Sequence, residues 1–207
     1  MIKYVLLILV AGLLGYNSIY VRKLSDVKEA APVSFDAATY VQKLWKKRLP
    51  KRLDSAAALS TVVNALHTQP DKAFAEYSNA LGIGNLRYSM VKAAGRVLAV
   101  NEDDVSVLVP NGSTPVVVTL TTEYVYGNAV RDASGLVDVK DFVNTMDLNN
   151  ISEELNRQVR KEVLPVFKAT VQKQDSVVFT GAVELNREHL KLDVLNVIPV
   201  QIKIIPR

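Results

Sequence analysis

The residues from Tyr4 to Tyr20 carry no charge, and they constrain this chain more than any other stretch. An uncharged run of that length does not stay in water: it enters a bilayer or is removed as a signal peptide. Its aliphatic part, Tyr4 to Gly15, is followed by the more polar Tyr16-Asn17-Ser18-Ile19-Tyr20. As a helix, the run reaches about 26 Å, a little short of the roughly 30 Å hydrocarbon core. Tyr4, Tyr16 and Tyr20 would then lie at the headgroup levels, where amphipathic rings partition. A cleaved signal peptide is the competing reading, but no small-x-small site follows, and Gly15-Tyr16-Asn17 suits a peptidase poorly. The expectation is an uncleaved anchor over residues 1–24, with the bilayer as partner of residues 4–20. Lys3 stands before the run and Arg22, Lys23 and Lys28 after it, so charge alone does not orient it. The short basic N-terminus favours an orientation with that end inside and the remainder outside.

About 180 residues remain beyond the run, enough for one domain with a real core. The pI of 9.2 overstates the basicity of that domain. Setting aside Lys3, Arg22 and Lys23 leaves 22 basic residues of the 25, against 21 acidic. A nucleic-acid binder carries a basic face over its whole domain, so nucleic acid is not an expected partner. The chain has no cysteine, which removes disulfides, thiolate metal sites, a cysteine nucleophile and the attachment point of a bacterial lipoprotein.

Residues 25–34 read as a linker, with Ala30-Ala31-Pro32 bending the exit. Ser34 reads as an N-cap with Asp36 in the first turn, opening a helix from Phe35 to Leu49 that Pro50 ends. Asp54 or Ser55 would cap a second helix bearing Leu59, Val62, Val63 and Leu66. Pro70 opens a third, with Ala73, Phe74, Tyr77 and Leu81 inward, and Gly82 terminates it.

From Asn85 the period changes to two. Leu86 to Met90, continued by Val97 to Val100 past a bend at Gly95, forms one strand region. Val105, Val107 and Val109 alternate in the next strand. After Pro110-Asn111-Gly112 a third long strand runs from Val116 through Tyr124 and Tyr126. An irregular stretch leads to a helix over roughly 150–167, kinked or ended by Pro165. Two strands close the chain, Ser176 to Leu185 and Val194 to Ile205, with Pro199 marking an edge or bulge. The class is therefore α+β: a membrane helix, a three-helix unit over 35–84, and a β-rich part over 85–207. Five antiparallel strands with one helix between the third and fourth is the order of an OB-like barrel or sheet.

No familiar catalytic constellation appears. The two histidines, His67 at a helix end and His189 in a turn, are isolated and make no metal site. Gly82-Ile83-Gly84 follows a helix and opens a strand, the reverse of a phosphate loop. Neither a cofactor nor a metal is expected. Lys43, Lys46, Lys47, Arg48, Lys51 and Arg52 place six cations in ten positions without an acid, a candidate face for anionic headgroups or a solvated helix face. Arg131, Asp132, Asn128, Asp141 and Asn144 concentrate polar groups in the irregular stretch. They form the candidate binding site, either as a structural tie between loop and sheet or as a pocket for a polyol or cation. An acid/base pair of Asp132 and Asp141, acting on envelope carbohydrate, is the catalytic alternative. A purely structural spacer is a third reading.

The same residues resemble the signature of the DUF2291 family, predicted periplasmic lipoproteins of unknown function. The carrying segments are Gly127-Asn128-Ala129-Val130-Arg131-Asp132-Ala133, then Asp141-Phe142-Val143-Asn144-Thr145, then Leu155-Asn156, with Tyr77-Ser78-Asn79-Ala80-Leu81-Gly82 upstream. Asn128 stands where the family has threonine, Thr145 where it has glutamine, and the lipobox cysteine is missing. The resemblance implies an envelope protein in the bacterial inner membrane with its domain in the periplasm. It also implies an accessory role beside sugar ABC transport, with a transporter or sugar-binding protein as partner. It brings no catalytic residues. The expectation is a non-enzymatic, membrane-anchored binding or interaction module.

Overall fold

Proline usually ends helices, because it lacks an N–H and its ring collides with the carbonyl four residues back. Here two helices pass through a proline by the same device. A computed structural model describes residues 2–18 and 35–205. Helix α2 spans 37–54 as α-helix at Ala37–Lys43, π-helix at Leu44–Arg48 and α-helix again at Leu49–Asp54. The Leu49 N–H reaches the Leu44 carbonyl, one residue farther back than in an α-helix. The widened turn makes room for the Pro50 ring. The later long helix repeats the arrangement: α-helix at Thr145–Gln158, π-helix at Val159–Val163 with Leu164 N–H on the Val159 carbonyl, and α-helix at Leu164–Thr170 through Pro165. The expected stop at Pro50 is thus corrected to a register shift inside a continuous helix, and at Pro165, expected to kink or end its helix, the chain continues through the same kind of shift.

The chain divides into two units, Met1–Phe35 and Asp36–Arg207. In the first, helix α1 is Ile2–Ser18, uncharged after Lys3 and exposing Tyr4, Leu7, Leu14 and Tyr16. Among the described residues no helix is long and apolar enough to cross a membrane. The linker 25–34, Tyr20 and the expected N-cap Ser34 lie outside the described residues.

In the second unit α2 is capped by Asp36, whose carboxylate accepts the Thr39 N–H at 3.1 Å. Asp36 is the cap rather than a first-turn residue, a correction to the sequence reading. The chain then forms β1 (Ala57–Ala58), α3 (Leu59–Thr68) and α4 (Pro70–Tyr77). Ala58 precedes α3 with no side-chain cap, so neither Asp54 nor Ser55 plays that part, and α4 stops at Tyr77 rather than at Gly82. Both shifts follow from backbone pairing. Ala57 and Ala58 run parallel to Val91 and Lys92, and Asn79 and Tyr88 exchange backbone hydrogen bonds of 2.7 and 2.8 Å.

The strands are β2 (Leu86–Val100), β3 (Asp104–Val109), β4 (Val116–Thr121), β5 (Ser176–Asn186) and β6 (Val194–Ile205). Between β4 and β5 stand the short helix α5 (Ala129–Ser134) and α6, the helix over 145–170. Strand order is β1-β2-β3-β4-β6-β5, and β2 also pairs with β5, so the sheet closes on itself. The sheet is mixed, with β4 and β6 parallel from Val117 with Val194 to Leu120 with Val197. This corrects the expectation of five antiparallel strands. Closure needs two glycines: a Cβ on Gly95 would lie 2.5 Å from the Leu108 carbonyl oxygen, and one on Gly181 would lie 2.5 Å from that of Ile198. Gly181 faces Pro199 across a register shift, so the proline sits at a bulge, where its missing N–H costs least. Alternate side chains of β3 and β4, Val105, Val107, Val118 and Leu120, fill the barrel with Val91, Val177, Phe179 and Val197.

Candidate functional site

All six residues of α5 are buried, including Arg131, Asp132 and Ser134. A buried charge is tolerated only when paired and hydrogen-bonded, and this helix is built around that requirement. Arg131 Nε donates to Asp132 Oδ1 at 2.7 Å, the two side chains being 5% and 3% exposed. Arg131 Nη1 also donates to the Leu148 carbonyl of α6 at 3.1 Å. The second oxygen of Asp132 accepts the Leu81 N–H at 3.2 Å. Ser134 Oγ donates to the Arg131 carbonyl at 2.6 Å and accepts the Leu136 N–H at 3.2 Å. Gly135 ends the helix at φ 61°, and a Cβ there would lie 2.6 Å from Asn79 Nδ2.

The segment 77–82 and the segment 127–135, distant in sequence, therefore meet in one buried latch. Asn156 extends it by donating to the Gly127 carbonyl at 2.9 Å, while Asn128 Oδ1 accepts the Ser152 hydroxyl at 3.0 Å. Of the five candidate binding residues, the structure joins Arg131 and Asp132 and sets Asn128 at the N-terminal end of the same helix. Asp141 lies apart, exposed in a 3₁₀ turn at Val139–Asp141. Asn144 caps α6, accepting the Asp147 N–H at 2.9 Å. With Asp132 sealed by Arg131 and Leu81, the geometry offers no open acid/base pair with Asp141.

Of the cations on α2, Lys43, Lys46, Lys47, Arg48 and Lys51 are exposed. Arg52 departs from that face: it is half-buried and donates through Nε to the Ser134 carbonyl at 3.0 Å, closing the C-terminal end of α5. An apolar groove of 580 Å³ runs between α2, α6 and β6, lined by Trp45, Leu49, Val163, Val166, Val200 and Ile202 among others. Trp45 Nε1 donates to Glu162 at 3.0 Å across it.

A second cleft, of 560 Å³, opens where α5 begins beside β2, β5 and β6, and it is more polar. Its rim carries Tyr124 and Tyr126, 63% and 70% exposed. The sequence reading placed both tyrosines in a third long strand, but β4 ends at Thr121 and they stand on the loop that follows. Val125 between them is buried, and Arg160 of α6 donates to its carbonyl. The valine pins the loop and turns its two neighbours outward. Asn128, Glu184, Lys191 and Asn196 supply the polar lining. Glu184 pairs across the strands with Tyr88, whose phenol burial and the Glu184 carboxylate together push up to about 12. Asn186 is committed to the turn at 186–189, accepting the Glu188 and His189 N–H groups, so His189 stands in a turn as expected. Of this cleft the sequence reading found only Asn128. The Tyr-Val-Tyr-Gly-Asn alternation at 124–128 was the available signal.

Comparison with known proteins agrees with this picture. The family model described as "Predicted periplasmic lipoprotein (DUF2291)" matches residues 9–203. Among solved structures, the crystal structure of an OB-fold protein from Thermotoga maritima is similar at a TM-score of 0.72 and 24% identity, over 84% of this chain and 100% of that one. That likeness shows the fold, and the β1-β2-β3-β4-β6-β5 closure is accordingly an OB barrel with one added strand. No curated protein matches.

Proposed function

The chain belongs to the DUF2291 family, and on that premise we propose that it is a non-catalytic envelope protein tethered to the bacterial inner membrane by α1, presenting the barrel outside as a binding module. One observation supports this reading: a helix uncharged after Lys3, with exposed large apolar side chains, falls in one unit of the chain, and a barrel with its own core falls in the other. Leaving several such side chains in water costs about 1.5–3 kcal/mol each, a penalty that lipid removes. None of the 207 residues is cysteine, so the chain has no thioether acceptor and the tether falls to the helix. At seventeen residues α1 falls a few ångströms short of the hydrocarbon thickness, a mismatch met by local thinning and by Lys3 reaching the headgroups.

The barrel's polar cluster serves construction, because Arg131 and Asp132 spend their hydrogen bonds on Leu81 and Leu148. Binding is assigned to exposed surface instead. The resemblance points to a transporter or sugar-binding protein as the partner. The test is protease treatment of spheroplasts expressing the full chain, followed by crosslinking in native membranes. Digestion of the barrel unit from outside and co-purification of an uptake component are the expected results. A barrel protected until the inner membrane is lysed contradicts the orientation.

A further inference from the structure

The cleft beside Tyr124 and Tyr126 has a chemistry that selects its ligand class. Its 560 Å³ falls within the range of small-molecule sites. Two aromatic side chains on its rim, Tyr124 and Tyr126, are more than half exposed. Water-facing tyrosines held rigidly by a buried neighbour are a platform for a ligand with an apolar face. The rest of the polar lining is mostly amide and carboxylate, with the Lys191 ammonium and the His189 imidazole beside them. Asn128 commits its oxygen to Ser152 and keeps its amide N–H groups, which are donors. Glu184 supplies acceptors, and Asn196, exposed on β6, supplies both kinds.

This inventory excludes several ligand classes. An apolar ligand would leave the amides unpaired and desolvate the Glu184 carboxylate, and it suits the α2–α6 groove better. A phosphate chain would meet the Glu184 charge, with only the Lys191 ammonium opposing it. A metal ion would need several ligating groups, and no cluster of three or more is present among the described residues. A neutral ring with hydroxyls at its edge and C–H groups on its face satisfies the whole set.

We propose that this cleft binds a neutral saccharide, its ring face on Tyr124 or Tyr126 and its hydroxyls bonded by Asn128, Glu184 and Asn196. The inference rests on the binding-module reading and gives it a ligand class.

The test is saturation-transfer NMR on the full chain in a zwitterionic, non-glycosidic detergent, with glucose, galactose, ribose, xylose, maltose and cellobiose as probes. At least one probe is expected to bind in the millimolar range or tighter, with transfer strongest to its ring C–H protons. The Tyr124→Ala/Tyr126→Ala double variant and Glu184→Gln should each weaken binding about tenfold or more, the scale of losing a central contact. Thermal melts of the variants should match the parent, since all three side chains are exposed. Absence of binding by every probe, or binding unchanged in both variants, overturns the proposal. The tether reading is separable: a barrel digested from outside spheroplasts that binds no saccharide removes this inference alone.

Discussion

Replacing Asp132 with alanine tests the buried latch, because it leaves Arg131 charged at 5% exposure with the carboxylate it pairs with gone. Breaking a buried pair by removing one partner costs about 3–5 kcal/mol, most of it the penalty of the remaining uncompensated charge. The Leu81 N–H also loses its acceptor, which adds about 1 kcal/mol. For a domain of this size each kcal/mol moves the melting temperature by about 2–4 °C, so a fall of roughly 8–24 °C is expected. Near-ultraviolet circular dichroism of the full chain in detergent, followed through a thermal melt, reads this directly. The companion variant is Arg131→Met/Asp132→Leu, which removes both charges while filling similar volume. It should recover most of the loss, since hydrophobic replacement of a buried pair is often neutral or better. A loss below about 1 kcal/mol for Asp132→Ala, the worth of an exposed pair, would refute the argument. So would a double variant as unstable as the single one.

Other consequences are open to simpler assays. Tyr88, held to about 12 first by burial and then by Glu184, should ionise after the ordinary phenol range in a spectrophotometric titration, and Tyr88→Phe should delete that late step. Because its folded pKa is raised, its contribution to stability is complete below the ordinary phenol value of 10.0 and is lost as pH climbs through about 12. Gly181→Ala should lower stability by about 1–3 kcal/mol in urea titration, since its Cβ would press on the Ile198 carbonyl and on Val197. An unchanged midpoint would mean that the barrel relaxes there freely.

The barrel was legible in the sequence because its strands alternate cleanly: Val105, Val107 and Val109 on β3 and Val116, Val118 and Leu120 on β4 are all buried. The order of strands and intervening helix then pointed to the OB arrangement. Helix boundaries were less legible. Pro50 looked like a stop and Pro165 like a kink or a stop, because sequence pattern does not show a π-turn making room for the ring. Ala57–Ala58 carries no strand pattern at all, and its pairing with Val91 and Lys92 comes from tertiary placement. The polar stretch near residue 131 was recognised as unusual; there Arg131 and Asp132 pair with each other and bond Leu81 in a loop and Leu148 in α6, neither of them in the sheet. What the sequence hid was the partner: Leu81 contributes a backbone N–H, which leaves no trace in residue identity. Tyr124 and Tyr126 were misplaced for the opposite reason, since aromatic and β-branched residues at a period of two continue a strand pattern past its end at Thr121.

The tether is tested most directly by alkaline carbonate extraction of membranes from cells making the full chain, with mass spectrometry of the retained protein. The account predicts a chain that stays in the pellet and still contains the Tyr4 to Ser18 segment. A mature protein recovered in the carbonate supernatant, or one that has lost that segment, would contradict it.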